Sequence, residues 1–303
     1  MTWKPYQCRT QRPRILRRDR MSRHPQSRGA RSGLTVLELL CLCGVMSTLA
    51  AVLLPAISAA REAAAGVQCV SQLRQIGIAL DSYHAVSRSF PPGWQWEPSE
   101  NSAYGWLVPL LPYLEQRAVY HRVNCGAPLQ HDDNAAVRSV SLKLLLCPSD
   151  ITSTTFTLLT EPDALGPGLP LFDLPTASYF GVFGTSEPDD SIPASPGDGV
   201  FLEQHVVRMA ELQRGLSNTL LVGERTMARV PSTWLGVDRR GADGACRLVG
   251  MAETAPNCHA CDECEFASRH PGGSNFLWGD GRVTLLSENI SRAEYQRLAR
   301  RYE

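Results

Sequence analysis

The chain has 303 residues, of which 43% are hydrophobic, 20% are charged and 7% are aromatic. This apolar fraction is sufficient for a folded core and excludes a wholly disordered chain. Ten cysteines are too few for a scaffold held together mainly by disulfides. The 30 basic and 30 acidic residues cancel, and this balance by itself argues against a nucleic-acid-binding protein.

The charges are unevenly distributed along the chain. Residues 1–33 contain Lys4 and nine arginines against a single acid, Asp19, so this segment carries a net charge of +9 and the remaining 270 residues carry −9. Such an asymmetry is typical of a basic tail in front of an acidic body. A basic arm that binds nucleic acid is one interpretation, but the apolar segment that follows argues against it. We therefore expect no nucleic-acid partner.

A long apolar segment follows the basic tail. Residues 39–60 are 22 residues without a charge, and a helix of this length spans about 30 Å, the thickness of the hydrocarbon core of a bilayer. Arginines are denser on its N-terminal side, which predicts a cytoplasmic N-terminus and an extracytoplasmic C-terminus. A buried core helix is the alternative, but the segment is too long and too evenly apolar for one. We expect a single-pass protein of the cytoplasmic (inner) membrane, in contact with lipid.

One carboxylate interrupts this predicted membrane segment. Glu38 lies just inside the apolar run, and a lone carboxylate in a transmembrane helix costs roughly 2.5–3.5 kcal/mol on insertion scales. No residue of opposite charge lies nearby within the segment. Cleavage after Gly33 would make Leu34 a new N-terminus, with its amine about one helical turn from Glu38. The cleaved chain would thereby supply the missing cation.

Residues 33–40 (GLTVLELL) resemble the type IV prepilin motif, in which a basic leader and a glycine precede an apolar helix with glutamate at the fifth mature position. Pro55 falls at mature position 22, where many pilins carry a helix-bending proline. Leu34 replaces the usual phenylalanine. The resemblance implies that a prepilin peptidase removes the leader, residues 1–33, and that Leu34 becomes N-methylated. It also implies that Glu38 neutralises the N-terminal amine of a neighbouring subunit.

Two alternatives concern the N-terminus. An ordinary secretory signal would need an A-x-A site after a shorter apolar stretch, and residues 53–65 offer only poor sites. Met21 is an alternative start of the chain, and translation from it would give a 13-residue leader that keeps Arg23, Arg28 and Arg31. Either start leaves the residues after the leader unchanged.

The helix is predicted to continue beyond the membrane. Apolar residues recur every three or four positions, with charged residues off this stripe. They are Val67, Val70, Leu73, Ile76, Leu80 and Tyr83. The paired prolines of residues 87–93 (SRSFPPG) then end the helix. We expect one long helix with a transmembrane segment over residues 34–57 and an amphipathic continuation over residues 58–88, on which a sheet rests.

The remaining residues, 89–303, are predicted to form a β-rich extracytoplasmic globular domain. A hairpin spans residues 275–287, where apolar residues alternate on both sides of Gly-Asp-Gly. Residues 142–146 indicate a short strand, and residues 291–302 a terminal helix. Residues 162–199 contain seven prolines and six glycines, which predicts mostly loop around one strand. The chain is thus predicted to be α+β, with a pilin-like N-terminal helix packed on an antiparallel β-sheet with long loops.

Six segments together resemble one bacterial family that has a prepilin-type N-terminus and a C-terminal His-x9-Asp-Gly motif and is catalogued as a domain of unknown function. The segments are residues 69–84 (CVSQLRQIGIALDSYH), 90–93 (FPPG), 110–116 (LLPYLEQ), 147–150 (CPSD), 215–224 (GLSNTLLVGE) and 268–281 (SRHPGGSNFLWGDG). The resemblance extends over about residues 31–289. The family is similar to type II secretion pseudopilins and has no assigned activity.

His270 and Asp280-Gly281 match the His-x9-Asp-Gly motif. One interpretation is a small site in which Asp280 and nearby carbonyls hold a hard cation such as calcium. The other is structural, because Gly281 tolerates the positive φ of a tight turn while His270 caps or packs the entry of the hairpin. Calcium usually takes six or more ligands and only two candidates are visible, so the structural interpretation is favoured. We expect no cofactor.

Seven cysteines follow the membrane segment, and four of them lie close together near the C-terminus. The seven are Cys69, Cys125, Cys147, Cys246, Cys258, Cys261 and Cys264. The C-x2-C-x2-C run with a neighbouring histidine could supply ligands for zinc or an iron–sulfur cluster. Outside the cytoplasm thiols oxidise, which favours three disulfides and one remaining cysteine. Disulfides, a metal and free thiols all stay open, and the spacing does not determine the pairing.

No motif of a common enzyme class is found. The chain has no G-x-S-x-G elbow, no Walker motif and no H-E-x-x-H, so we expect no catalytic activity. The predicted function is that of a pseudopilin-like structural subunit, processed after Gly33 and assembled through its helix in a type II secretion or type IV pilus-like system. Glu38 is the predicted recruitment and register residue, and Pro55 the predicted bend.

The predicted partners are the prepilin peptidase, other pilin-like subunits and the secretion or pilus assembly machinery. The alternative function is a membrane-tethered extracytoplasmic binding module that does not polymerise. Such a module would use the loops around residues 151–199 and the C-terminal hairpin to hold a glycan, a protein or a cation.

Overall fold

The computed structural model describes residues 35–150, 153–162, 166–189, 196–258 and 260–302. The chain divides into two compact units, Met1–Leu53 and Leu54–Glu303. One helix, α1 (Val36–Ser87), begins in the first unit and continues in the second. The predicted start of the helix at Leu34 lies outside the described residues.

The described residues of the first unit form an exposed apolar helix. Val36 is 75% exposed and Leu40 is 64% exposed, and the most apolar stretch of α1 has none of its residues buried. By length and composition, this helix is long and apolar enough to cross a membrane.

Ten strands and three further α-helices lie in the described residues of the second unit. The strands are β1 (Trp94–Trp96), β2 (Ser102–Gly105), β3 (Thr155–Leu159), β4 (Pro170–Pro175), β5 (Tyr179–Gly184), β6 (Leu220–Glu224), β7 (Gly236–Asp238), β8 (Val249–Met251), β9 (Gly273–Trp278) and β10 (Val283–Ser287). The helices are α2 (Arg117–Tyr120), α3 (Asp132–Arg138) and α4 (Arg292–Ala299). The predicted α+β fold is confirmed.

The largest sheet has five strands in the order β10-β9-β6-β5-β8. Neighbouring strands in this sheet are antiparallel, except for the pair β5 and β8, which is parallel. The sheet was predicted to be antiparallel, and it has one parallel pair at its edge. The predicted C-terminal hairpin is β9 and β10, paired from Leu277 with Val283 to Gly273 with Ser287. Two smaller sheets have the orders β1-β2-β7 and β3-β4.

The large sheet separates two cores because successive side chains of a strand face opposite sides. Leu277 of β9 faces α1, where a Cβ on Gly77 would come within 2.9 Å of its Cδ1. Phe276 lies on the other side, in a core with Tyr295 of α4. The second half of α1 therefore packs on one face of the sheet, and the terminal helix packs on the other.

The predicted apolar stripe of α1 is partly confirmed. Leu73, Ile76 and Leu80 are buried in the main core. Val67 is 72% exposed instead, because the buried part of the helix begins only at Cys69.

Two of the local assignments are wrong. Residues 142–146 contain a 3-10 turn at Lys143–Leu145 and no strand. The carbonyl of Lys143 accepts a hydrogen bond from Gln72 Nε2 and that of Leu145 from the Ser178 N–H, so α1 and the segment before β5 satisfy this backbone. The predicted loop of residues 162–199 contains β4 as well as β5, and β4 tolerates its prolines because they lie at the two ends of the strand.

Candidate functional site

The N-terminal motif lies only partly within the described residues, since Gly33 and Leu34 are outside them. Glu38 lies in the first turn of α1, where one carboxylate oxygen accepts hydrogen bonds from the Thr35 N–H at 2.9 Å and from the Thr35 hydroxyl at 3.0 Å. Thr35 Oγ1 in turn accepts a hydrogen bond from the Glu38 N–H at 3.3 Å. This reciprocal arrangement is a capping box.

The apolar segment contains no basic residue that could pair with Glu38. In the capping box, Glu38 has an uncharged partner, Thr35, instead. The Thr-x-x-Glu spacing ahead of an apolar run is the signal that identifies it. Pro55 does not end the helix, which continues to Ser87. The bend at Pro55 stays a prediction.

The two halves of the His-x9-Asp-Gly motif lie at opposite ends of β9. Asp280 and Gly281 form the turn between β9 and β10, where Gly281 has a φ of 82° and Asp280 Oδ1 accepts a hydrogen bond from the Arg282 N–H at 3.2 Å. The Asp280 carboxylate also faces the Arg282 guanidinium, with Oδ1 3.7 Å from Nε. Because the six residues of β9 separate this turn from His270 by about 20 Å, the motif does not form one cation site.

His270 lies instead among four buried side chains, which we call the Cys–His–Glu cluster: Cys69, Cys147, Glu224 and His270. Cys69 comes from α1, Cys147 follows the Lys143–Leu145 turn, Glu224 ends β6 and His270 precedes β9. One donor atom from each side chain lies within 4.8 Å of all the others. The packing of α1 on the sheet therefore completes the cluster.

His270 contacts two other members of the cluster through Nε2. This nitrogen lies 3.5 Å from Cys147 Sγ and 3.6 Å from Glu224 Oε1. Cys69 Sγ lies 2.8 Å from Cys147 Sγ, with the Cys69 thiol as the donor.

A second set of side chains orients the cluster. His270 Nδ1 lies 2.7 Å from Glu62 Oε1, and Glu62 also accepts hydrogen bonds from the Ser149 hydroxyl at 2.9 and 3.0 Å. Glu224 accepts hydrogen bonds from the Asn275 N–H at 3.0 Å and from the Asn275 side-chain amide at 3.0 and 3.2 Å. Both carboxylates are thereby fixed in orientation.

The contacts in the cluster shift the pKa values of its groups. The hydrogen bond from Cys69 lowers the pKa of the Cys147 thiol to about 6, with burial opposing this change and His270 supporting it. The pKa of Cys69 is raised, because its thiol donates that hydrogen bond and is buried. Hydrogen bonds to Cys147 and Glu224 raise the pKa of His270 to about 11 against the effect of burial. At neutral pH this geometry favours a Cys147 thiolate beside a protonated His270.

The cluster carries an excess of negative charge. Among the described residues, no lysine or arginine forms an ion pair with Glu62 or Glu224, and His270 is the cation that both carboxylates share. The Glu224 side chain is only 2% exposed. Because a buried charge is stable only when it is paired, the buried Glu224 carboxylate and Cys147 thiolate depend on an imidazolium that the partly exposed Glu62 also contacts.

The four C-terminal cysteines form two disulfides in the structure. Cys246 is bonded to Cys264, and Cys258 to Cys261. All four cysteines of the predicted disulfide or metal site are thereby used in disulfides. Cys125 is free and exposed.

Of the Cys–His–Glu cluster, only His270 is a site residue predicted from sequence. Cys69, Cys147 and Glu224 each lie in one of the six segments that resemble the family. Cys69 and Cys147 are 78 positions apart, and Cys147 and His270 are 123 positions apart. The sequence feature that could have identified the cluster is that several of these segments each contain one cysteine, histidine or glutamate. No regular spacing along the chain relates these residues to one another.

The second unit also has a surface cleft of about 440 Å³, within the usual size range of small-ligand sites. Its lining includes the aromatic residues Tyr83, Trp96, Tyr104 and Tyr120. Aromatic side chains with a few polar groups are typical of ligand-binding clefts. The sequence predicts the loops of residues 151–199 as the binding surface of a tethered module, and none of the described residues in these loops lines the cleft.

The chain belongs to the bacterial family described as "Protein of unknown function (DUF1559)", whose model matches residues 58–293. This match covers most of the second unit and includes the Cys–His–Glu cluster. The N-terminal motif around Gly33 and Glu38 lies outside the matched range. Neither a curated protein nor a solved structure matches the chain.

Proposed function

We propose that this chain is a pseudopilin-like structural subunit, processed after Gly33 and assembled through α1 in a type II secretion or type IV pilus-like system. The observation that carries the proposal is a long, exposed apolar helix with a glutamate in its first turn. The second unit would then lie on the extracytoplasmic side of the inner membrane.

The apolar half of α1 needs a non-aqueous surrounding. Val52 is 70% exposed and Leu54 is 65% exposed, and leaving one such side chain in water costs about 1.5–3 kcal/mol relative to burial. The hydrocarbon core of a membrane removes this cost, and so do the apolar helices of neighbouring copies. A pilin-like subunit uses the membrane before assembly and its neighbours afterwards.

Glu38 connects processing to assembly. In the uncut chain its carboxylate accepts hydrogen bonds from Thr35. Cleavage after Gly33 would create an amine one residue before Thr35, close to that carboxylate. Because an unpaired charge in lipid is costly, Glu38 would pair with this amine or with the amine of an adjacent subunit.

The charges and the disulfides support the proposed topology. The +9 charge of residues 1–33 favours a cytoplasmic N-terminus. The Cys246–Cys264 disulfide favours an oxidising compartment for the second unit, since disulfides persist outside the cytoplasm.

Mass spectrometry of the N-terminus of protein purified from membranes tests the processing step. We expect N-methylated Leu34 in the wild type and an uncut chain in Gly33→Val. Gly44→Ala is the matched control, because a Cβ at Gly44 meets nothing within 4 Å, and its processing should be normal. A wild-type chain that still begins upstream of Gly33 would contradict the proposal.

Glu38→Gln tests the assembly step. The amide oxygen can still accept the hydrogen bonds of the helix cap, whereas the negative charge is lost. We expect normal cleavage and membrane localisation together with at least a tenfold decrease in helix-mediated oligomers, measured by cross-linking in cells. Unchanged oligomers and an unchanged secretion phenotype would refute a role in assembly.

A tethered binding module is the second candidate function, and the aromatic cleft favours it. In that case the chain would stay monomeric in the membrane, and the cleft of Tyr83, Trp96, Tyr104 and Tyr120 would hold a ligand. Normal oligomer levels in Glu38→Gln, combined with a secretion or adhesion defect in Trp96→Ala, would favour this function over assembly.

A further inference from the structure

The Cys–His–Glu cluster has the features of a metal-binding site, and such a site would not depend on the proposed assembly role. We propose that Cys69, Cys147, Glu224 and His270 bind one divalent, thiophilic transition-metal ion, for which zinc fits best. Two thiolates, an imidazole and a carboxylate are ligand types found in protein zinc sites. Each of the four residues is at most 6% exposed, as expected for a closed structural site.

Two distances between the donor atoms suit a tetrahedral ion. Zinc–ligand distances of about 2.0–2.3 Å place neighbouring donor atoms about 3.3–3.8 Å apart. His270 Nε2 lies 3.5 Å from Cys147 Sγ and 3.6 Å from Glu224 Oε1, within that range. The sulfur atoms of Cys69 and Cys147 are 2.8 Å apart. They must separate by about 1 Å on binding, which small rotations of the side chains permit.

The second set of side chains matches the surroundings of a metal ligand. A metal-bound histidine usually donates its other ring N–H to a carboxylate, and Glu62 Oε1 lies 2.7 Å from His270 Nδ1. This leaves Nε2, which faces Cys147 and Glu224, for the metal. Asn275 holds Glu224 through three hydrogen bonds. Two of the four ligands are therefore oriented before an ion binds.

The cluster also offers a divalent cation negatively charged donor atoms, the Glu224 carboxylate and the Cys147 thiolate. Glu62 and Glu224 share His270 as their charged partner, and no lysine or arginine pairs with either of them among the described residues. A divalent ion would displace the Cys69 thiol proton and one imidazole proton, so its two positive charges replace those of the two protons and the net charge of the cluster stays the same.

A disulfide between Cys69 and Cys147 is the competing arrangement, because the chain forms two disulfides elsewhere. Such a bond would consume the two thiols, but it would leave the buried Glu224 with His270 as its charged partner. An ion uses all four side chains as ligands, whereas a disulfide uses only two of them. The position of His270 Nε2 between Cys147 Sγ and Glu224 Oε1 therefore favours the ion.

An ion at the cluster would cross-link α1 to the five-stranded sheet. Cys69 and the orienting residue Glu62 belong to α1, whereas Glu224 ends β6 and His270 precedes β9. Metal binding would thereby hold the second half of the helix in a fixed register on the globular part of its own unit.

The first test measures the metal content and the thiol state of the full-length protein. The protein is purified from membranes without a chelator, its metal is measured by mass spectrometry, and its thiols are alkylated under denaturing conditions. We expect about one zinc per chain and alkylation of both Cys69 and Cys147 without prior reduction. The matched controls are Cys147→Ser, which should lose the metal, and Cys125→Ser, which should keep it because Cys125 is exposed and outside the cluster. A metal-free chain with a Cys69–Cys147 disulfide would overturn the proposal.

Cobalt(II) titration of the reduced, metal-free wild type is a second test that requires no variant to fold. We expect thiolate-to-cobalt charge-transfer absorption and the d–d bands of a tetrahedral ion, complete at one equivalent and reversed by zinc. Glu62→Gln acts through His270 and should weaken binding about 10–100-fold with the same spectrum. Titration with free thiols but without the charge-transfer band would overturn the proposal.

Discussion

Glu224 and Arg225 are adjacent buried charges that do not pair with each other, because successive side chains of a strand point to opposite faces. Glu224 faces α1 and the Cys–His–Glu cluster. Arg225 lies on the other face, with its guanidinium 3.8 Å from the centre of the Phe180 ring and hydrogen bonded to the Ser232 hydroxyl at 3.1 Å. Burial lowers the pKa of Arg225 to about 9. The end of β6 thus places one anion and one cation in separate buried environments.

Glu265 is a buried carboxylate whose protonation should affect stability. Its Oε1 accepts hydrogen bonds from the Thr254 N–H at 2.7 Å and the Glu253 N–H at 3.1 Å, whereas Oε2 has no partner among the described residues. Burial raises the pKa of Glu265 from 4.5 to about 7. The folded state therefore binds this proton more tightly than the unfolded state does. Its stabilising effect is complete below pH 4.5 and is lost as the pH rises through about 7.

Glu265→Gln should make the stability of the second unit less dependent on pH. The neutral amide removes the ionisation, so the variant should lose less stability than the wild type between pH 5 and pH 8, by at most about 3 kcal/mol. Urea denaturation of the detergent-solubilised protein at the two pH values, followed by tryptophan fluorescence, measures the difference. Equal losses in the two proteins would show that Glu265 does not titrate in this range.

At the scale of elements, the contact between α1 and β9 depends on a glycine. Gly77 is buried in α1, and the nearest side-chain atom of Leu277 would lie 2.9 Å from a Cβ placed there. The absence of a side chain lets the helix approach the sheet closely. The same approach brings Glu62 and Cys69 of α1 to His270 and Cys147.

Gly77→Val should destabilise the second unit by about 1–3 kcal/mol, because the added side chain overlaps Leu277 in a packed core. Ala85→Val is the matched control, since Ala85 is exposed on the same helix and the change adds a β-branched side chain without an overlap. The urea midpoint of the full-length protein in detergent measures both. Equal midpoints for the two variants would mean that the helix does not pack closely at position 77.

At the scale of the whole molecule, the chain combines an exposed apolar helical segment with a separate, well-packed unit. The first unit, Met1–Leu53, contains few described residues besides the apolar start of α1. The second unit contains both cores, both disulfides and the Cys–His–Glu cluster. The residues of the exposed apolar segment and the residues of the two cores are thus largely different, and they can be changed separately.

Leu49→Arg combined with Leu53→Arg should prevent stable membrane insertion. Each arginine in the middle of a transmembrane helix costs about 2.5–3.5 kcal/mol, so the pair costs about 5–7 kcal/mol. Leu49→Ile combined with Leu53→Ile keeps the apolar character and should insert normally. Resistance of the protein to carbonate extraction distinguishes them. A double-arginine variant that resists extraction as the wild type does would contradict a membrane-spanning role for this segment.

Local sequence patterns predicted several elements correctly. The paired prolines of residues 87–93 predicted the end of α1, and the period of apolar residues predicted the burial of Leu73, Ile76 and Leu80. The Gly-Asp-Gly pattern predicted the β9–β10 hairpin. The apolar run of residues 142–146 was misleading, because a short run has no period that separates a strand from a turn. Its backbone partners come from Gln72 and Ser178, which the local sequence does not contain.

By itself, the sequence determined the elements whose interactions are local: an apolar helix long enough to cross a membrane and the C-terminal hairpin. These elements depend on residues that lie close together along the chain. Only the tertiary structure decided that His270 belongs with Cys69, Cys147 and Glu224, and not with Asp280. Glu62 and His270 are 208 positions apart, and they meet because α1 packs on the sheet. No periodicity encodes a contact of that separation, since it depends on how whole elements pack.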